Sequence, residues 1–517
     1  MLEEKRKWSV IESWRLFTTE EKRNMAFYIL GIMLYKFGFE VYIGSVIALA
    51  TNRYEYDAAV GRYPEKTLER VGLLQGLNQA FQCLGSILIA PLIKRFKTRT
   101  VLAIAVLVFA VFTSLLLIVD RATGGSIKPK GWDQQYGSRN FAYYGNFNTD
   151  AMIPIHCLSG ISYGMVELIR RVIPRDIVGG NMQKLKRMDS LVHIFYEITG
   201  TGGALATALA LIPACGNNQS FIITPLLFFC AAASWFMIQL PHSYQVEAGG
   251  EKNYVFQVID GCVLFVMSAA KGMAIVFSSR RFVWLLPGYS FALFGHRFLE
   301  NNIASVIAYR YFGETAWAQI LIAGSNFGEL IGALFVFLFT NLVHTPIPWL
   351  RSDALLLLIV WYIPYWYPPM YKVSQAWIAA ATFIPISFGW AAGDVSLAAY
   401  IQASLARLEA KENSISPLGA VMGFLYSTYI IIYAILSPLL GRYMDKVASQ
   451  HNDVVQSGLF NIAGVQFTIL SGIMLAATFV PRGAFSVNPK LLDDVELDTD
   501  DDSGDEKIPA DERGVAV

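Results

Sequence analysis

The sequence predicts an all-α integral membrane protein, with twelve transmembrane helices in two pseudo-symmetric six-helix bundles. Three observations carry this expectation. Of 517 residues, 54% are hydrophobic and 16% charged, with mean hydropathy +0.43, whereas a soluble chain carries about 25% charged residues. Apolar runs near the ~20 residues that cross a hydrocarbon core recur along the chain. The first run also returns 260 residues later, with Glu40, Ile43, Ser45, Val46, Ile47 and Ala48 recurring in order as Glu300, Ile303, Ser305, Val306, Ile307 and Ala308.

Residues 1–24 are polar and basic, with Trp8 and Trp14 at interface depth, and form a cytoplasmic N-terminus. The first bundle occupies 25–243, with spans at 25–50, 71–92, 100–119, 151–170, 190–212 and 220–240. The second occupies 282–483, with spans at 282–308, 316–341, 353–368, 376–402, 417–440 and 457–480. With the N-terminus inside, 27 Lys and Arg fall in cytoplasmic segments and 12 in outer ones, which places both termini in the cytoplasm. No basic, short-apolar, small-residue pattern opens the chain, so no cleaved signal peptide is expected.

The linker, 244–281, contains an apolar stretch at 253–277 long enough for a thirteenth span. Gln257, Asp260, Gly261, Ser268 and Lys271 form a narrow polar stripe along it, so the expectation is an amphipathic helix in the cytoplasmic interface. The outer loop, Arg121 to Asp150, is rich in Gly, Tyr and Asn and reads as an ordered flap. The sequon at Asn218 hugs the membrane and is a poor glycosylation acceptor. Residues 484–517 form a tail, and Leu491–Val517 holds eleven acids, the pattern of a solvated disordered block. Thr499 and Ser503 in it are weak candidates for an acid-directed kinase. Five cysteines show no CxxC or metal-ligand spacing, so buried thiols are expected rather than metal ligands.

Within the spans, ionisable side chains are costly and mark a site by default. Lys36 and Glu40 are four apart and share a helix face. His296 and Glu300 repeat that spacing, with Arg297, Asn301 and Asn302 beside them. A carboxyl that can be neutralised beside a base suits proton coupling, while Lys36 or Arg297 suits an anionic group. The plainer reading is of ion pairs, Lys36–Glu40 and Arg297–Glu300, that only neutralise each other. Gln75, Asn78 and Gln82 line one face of the second span, to cavity or to a neighbouring helix. Asn326 and Glu329 lie in the eighth span, and Asp394 in the tenth is a possible partner for Arg297 or Lys36. Arg95, Arg99, Glu167 and Glu197, with His193 beside Glu197, read as a cytoplasmic gate or salt-bridge belt. His156 reads as a satisfied interior histidine.

Six spans, a polar linker, six spans and a repeat in the first helix of each half resemble the major facilitator superfamily, over 25–482. Gly85–Leu102 is similar to that family's loop after span two, with Lys94 in place of its Asp and Lys97 in place of its Gly. Ile173–Leu209 resembles its passage from span four into span five, although Gly200-Thr201 stands where exporters carry Gly-Pro. The resemblance implies parallel halves rocking about a mid-membrane site at their interface, with the first helix of each half facing it. A faint likeness to ferroportin-like metal exporters rests on the acid in span one and a basic, Asn-containing loop into span five.

No GxxxxGK[ST], HExxH or GxSxG occurs, so neither an ATP-driven pump nor an enzyme is expected. No cofactor, nucleic acid or obligate oligomer is called for. The expected function is secondary active transport of a small polar or charged organic solute, with protons as the coupling ion. The alternatives are a divalent-metal carrier and a transport-inactive receptor or scaffold of the same fold. The plasma membrane is the default location.

Overall fold

The computed structural model describes residues 16–62, 66–137, 139–179, 182–239, 253–339, 342–343, 345–409, 417–451 and 454–489. The first fifteen residues, the start of the linker (244–252) and the acidic tail from 490, with Thr499 and Ser503, lie outside these.

The first bundle comprises α1 (Thr19–Ala59), α2 (Thr67–Arg95), α3 (Thr98–Ala122), α4 (Met152–Arg170), α5 (182–215) and α6 (Ile223–Phe236). A linker helix, α7 (Tyr254–Ser278), precedes the second bundle. That bundle comprises α8 (280–312), α9 (Ala318–Phe339), α10 (347–365), α11 (Val373–Glu409), α12 (Pro417–Gln450) and α13 (456–477). All twelve expected spans are present, several extended by one to three turns. By length and composition eleven described helices can cross a bilayer, including α7. Helix α6 is too short for that criterion, and α8 is broken into shorter pieces. The chain is a multi-pass membrane protein.

Local chemistry sets the helix starts unevenly. The α1 terminus closes on a capping box: Thr18 Oγ1 accepts from Glu21 N at 3.2 Å and Glu21 Oε2 accepts from Thr18 N at 2.7 Å, satisfying two orphan donors. Helix α2 follows Lys66, which offers no side-chain cap. Its first amides are met instead by Asp445 of α12, whose carboxylate accepts from Leu68 N at 3.0 Å and Glu69 N at 2.8 Å.

Each bundle uses small residues to bring one helix pair into backbone contact. A Cβ on Gly164 of α4 would stand 2.0 Å from Gln82 O of α2. In the second bundle, one on Gly328 of α9 would stand 2.3 Å from Ile384 O of α11. Only glycine permits such approach, as in small-xxx-small membrane contacts.

Helix α7 meets α2 where Tyr254 donates to Leu88 O at 2.9 Å and where Gly261 faces Ile87. It meets α12 where Gly272 abuts Ala420 and Phe277 packs on Phe424, with ring centroids 6.1 Å apart. Antiparallel α2 and α12 pair Gly72 with Ser437 and Gly76 with Ala434, which puts Leu88 and Ala420–Phe424 at similar depth. The helix therefore runs across both neighbours near their terminus-side ends. Val255, Phe256, Val263, Val266 and Met267 on it remain exposed.

The outer loop is stitched to the first bundle from below. Fully buried Asp120 accepts from Gly145 N at 2.9 Å and from the Asn218 and Gln219 amides at 2.8 Å each. Arg53 donates to Gly145 O at 2.9 Å and Phe147 O at 2.8 Å. Asn218 thus spends its amide inside the protein, in line with its poor prospects as a glycan acceptor.

Candidate functional site

The halves join on the side away from the termini. There Asp445 caps α2, and a Cβ on Gly441 of α12 would stand 2.3 Å from Leu68 O. Thr315 donates to Asn52 Oδ1 at 3.1 Å, and Gly44 of α1 abuts Gln319 of α9. Arg297, midway along α8, nevertheless keeps 43% of its side chain accessible. With that side packed, the accessible face of Arg297 is reached from the side of the termini.

Two ion pairs lie at this depth, one on the first helix of each half. On α1, Lys36 Nζ donates to Glu40 Oε1 in a close contact, and both side chains are buried. The ammonium also lies 4.4 Å from the Tyr196 ring centroid of α5. On α8, Arg297 donates to Glu300 Oε2 at 2.8 Å. Glu300 Oε1 accepts from Ser325 of α9 in a short bond, and Ser325 lies 2.6 Å from Ser387 of α11. An unpaired ion at this depth costs about 3 kcal/mol or more, so each acid is held by a cation.

His296 departs from the sequence reading. It does not stand beside Glu300 as Lys36 stands beside Glu40. Its Nε2 lies 2.8 Å from Asp353 Oδ1 of α10, both groups fully buried, and its ring stacks on Trp390 at 5.2 Å. The cause is tertiary: the Asp353 carboxylate of α10 takes the imidazole, and Glu300 is left to Arg297 three residues before it. Arg297, three residues before Glu300, is the true counterpart of Lys36.

Other predicted residues fall into three groups. Gln75, Asn301 and Asn302 build a polar clasp: Gln75 Nε2 donates to Asn301 O at 3.3 Å between the halves, and within the second half Asn302 Nδ2 donates to Ser437 Oγ at 2.7 Å and the Tyr433 hydroxyl to Asn302 Oδ1 at 2.8 Å. Asn78 turns away from the cavity, donating to His156 O of α4 at 2.7 Å and accepting from Gln82 at 3.0 Å; it is interhelical packing. His156 sits in the interior with Ser159 Oγ 3.2 Å from its Nδ1. Asp394 makes no ion pair within 4 Å; Arg171 and Arg297 are the cations whose charge acts on it.

The residues read as a gate sit within the first half. Glu167 pairs with Arg170 at 2.6 Å, and the Arg170 guanidinium lies 4.5 Å from the Tyr196 centroid, opposite Lys36. Arg99 donates to Ile238 O beyond α6 in a short contact, and Arg95 is exposed at the end of α2. Glu197 is buried, 4.0 Å from His193, with Oε2 lacking a hydrogen bond. Glu329 of α9 makes no hydrogen bond or ion pair among the described residues.

Sequence reasoning missed Ser325, Ser387, Tyr196 and Asp353. The polar run Ser325-Asn326 two turns into α9 was a signal for the first. Asp353 was assigned to the edge of its span, although α10 begins at Ile347 and buries it.

No protein-family model matches the chain, and no curated protein matches it in sequence. Solved structures match it in fold. The nucleoside transporter NupG (D323A mutant) is 13% identical, covers 88% of this chain and 99% of its own, and gives a TM-score of 0.58. The xylose transporter XylE from E. coli, in a partially occluded inward open conformation, is 12% identical over 90% of this chain and 98% of its own, with a TM-score of 0.58. The human organic anion transporter MFSD10 is 15% identical over 89% and 99%, with a TM-score of 0.51. The architecture is therefore the major facilitator fold, as the first-helix repeat and the six-plus-six pattern had implied.

Proposed function

We propose that the protein is a secondary active transporter that moves a small polar or charged organic solute by alternating access, coupled to protons. One observation carries this reading: equivalent ion pairs, Lys36–Glu40 and Arg297–Glu300, stand on the first helix of each half, and Arg297 keeps an accessible side chain. Charge of both signs at mid-depth suits a polar or ionic solute, and Arg297 keeps an accessible face to bind a carboxylate or similar acceptor. Solved relatives in fold that are named as nucleoside, xylose and organic anion transporters support the class.

The positive-inside count supports cytoplasmic termini, which makes the conformation inward-open. The plasma membrane is the default location. We read α7 as an in-plane helix at the cytoplasmic interface, its exposed apolar residues facing acyl chains.

The donor set weighs against divalent-metal transport. His296 is committed to Asp353, and Glu40 and Glu300 each hold a basic side chain where a metal would need free oxygens.

The test is uptake into cells or proteoliposomes, with solutes chosen by comparing metabolites and metals in cells with and without the protein. Glu40→Gln and Glu300→Gln should each abolish or uncouple flux while leaving membrane expression intact. Normal flux with a normal pH dependence in both variants would sink the reading.

A further inference from the structure

The two mid-depth ion pairs differ in what they leave open to a ligand. Lys36 and Glu40 keep only 8% and 7% of their side chains accessible and are closed on each other. Glu300 keeps 7%, and both its oxygens are occupied, Oε2 by Arg297 at 2.8 Å and Oε1 by the Ser325 hydroxyl. Arg297 keeps 43%. It gives one N–H to Glu300, and the rest of its five-donor fork has no partner among the described residues. Arg297 is thus anchored at one edge and open at the other.

An acid stands beside that open edge. Glu329 follows Ser325 by four residues on α9, so the two share a face, and Ser325 touches Glu300. Helix α9 runs from the closed side, where Gln319 abuts Gly44, toward the termini. Glu329 therefore lies about 6 Å past Ser325 on the open side. Helix α8 runs the other way and ends near the Thr315 turn on the closed side. That puts Arg297 about 4.5 Å to the open side of Glu300. The two side chains thus spring from similar depth on touching helices, and Glu329 is the acid, after Glu300, whose charge acts most on Arg297. Glu329 is half-buried and has no hydrogen bond or ion pair among the described residues. The neighbouring acids are committed or closed: Glu40 holds Lys36, Glu167 holds Arg170, and Glu197 is 3% exposed. Asp394 follows Ser387 by seven residues on α11, about 10 Å nearer the mouth.

We propose that Arg297 and Glu329 bind the two ends of a zwitterion, which makes amino acids and short peptides the substrate class. The carboxylate of the solute lies in the free edge of the Arg297 fork, and its ammonium donates to Glu329. This deepens, and rests on, the transporter reading. A guanidinium edge matches a carboxylate in two parallel hydrogen bonds, and an ammonium is all donor where a carboxylate is all acceptor. A purely anionic solute would satisfy Arg297 but crowd its charge against Glu329 and Glu300. A purely cationic one would meet Glu329 and be repelled by Arg297. A neutral solute would leave both charges without a matched partner. Only a zwitterion satisfies both, and it brings no net charge into a site where charge is costly.

The test is binding, which needs no flux. The full-length protein in lipid nanodiscs is screened with the standard amino acids and a set of dipeptides for stabilisation against thermal unfolding. The tightest binder is then compared with its Nα-acetyl form, which lacks the ammonium, and its C-terminal amide, which lacks the carboxylate. Wild type should hold the zwitterion about tenfold or more tighter than either, the loss expected when one charge-assisted contact is missing. Glu329→Gln should weaken the zwitterion by about tenfold yet bind the Nα-acetyl form no more weakly than wild type, which shows that the variant is folded. Asp394→Asn should leave the zwitterion affinity unchanged. No stabilisation by any of these probes would overturn the assignment. So would equal wild-type affinity for the zwitterion and its Nα-acetyl form, or a zwitterion affinity in Glu329→Gln equal to wild type. A zwitterion that binds but is not carried into proteoliposomes refutes the transporter reading alone. Uptake of a neutral or singly charged solute, with no zwitterion bound, refutes the assignment alone.

Discussion

His296 and Asp353 form a pair that no helix-face argument could place, since 57 residues separate them. Both are fully buried, and His296 Nδ1 and Asp353 Oδ2 lack further partners. The pair thus leans on its single bond and the Trp390 stack. Removing one partner of a buried pair leaves the other uncompensated, at a cost of about 3 kcal/mol. Asp353→Ala should lower stability in detergent unfolding by about that amount. Asp353→Asn keeps an acceptor for an Nε2–H donor and should lose only about 1 kcal/mol. Equal stability of both variants to wild type would show that the pair secures nothing between α8 and α10. The same residues show what local spacing conveys. Lys36 and Glu40 share an unbroken α-helical turn, so the sequence placed them together; the Asp353 carboxylate of another helix defeated the same inference for His296 and Glu300.

At the scale of elements, α2 has no cap of its own and borrows one from the other half. Asp445 supplies the acceptors for Leu68 N and Glu69 N only while α2 and α12 are in contact on the side away from the termini. A carboxylate there also complements the positive end of the helix dipole. An N-cap is worth about 1 kcal/mol, so Asp445→Ala should shift the closed–open balance on that side roughly fivefold toward opening. A cysteine placed at Ser437, which is fully buried in this seam, reports it through its rate of labelling by an impermeant thiol reagent. An unchanged rate would mean that the cap does not contribute to closure. Helix α2 was legible as a span from its hydropathy. Its dependence on α12 was not, because the capping residue lies some 377 positions away.

Across the whole molecule, closure on the side away from the termini brings the turn at Glu314 of the second half within electrostatic reach of Lys128 and Asp133 in the Arg121–Asp150 loop of the first. Burial pushes the Glu314 carboxyl above its usual range, with Lys128 pulling it back, the Ala316 amide adding to that pull and Asp133 opposing it. The sign follows from linkage: an acid whose value is raised in one state favours that state when protonated. Outer closure should therefore strengthen as pH falls through the raised value of Glu314 and weaken as pH rises through it. Labelling of the Ser437→Cys reporter should slow on mild acidification in the otherwise wild-type protein and lose that component in Glu314→Gln. Matching pH profiles for the two would remove Glu314 from the closure mechanism.

Composition and periodicity by themselves determined the membrane class, the twelve spans, the duplicated first helix and the charges it carries, because hydrophobic length and same-helix spacing are local properties. Tertiary structure decided which of those charges are spent and which are spare. Lys36 and Arg297 are consumed within their own helices, whereas His296 is claimed by Asp353 of α10 and Gln75 by Asn301 across the two halves. Pairing between helices depends on their rotation and on π turns that shift it. A linear pattern carries neither, so these partners became visible only when the helices were brought together.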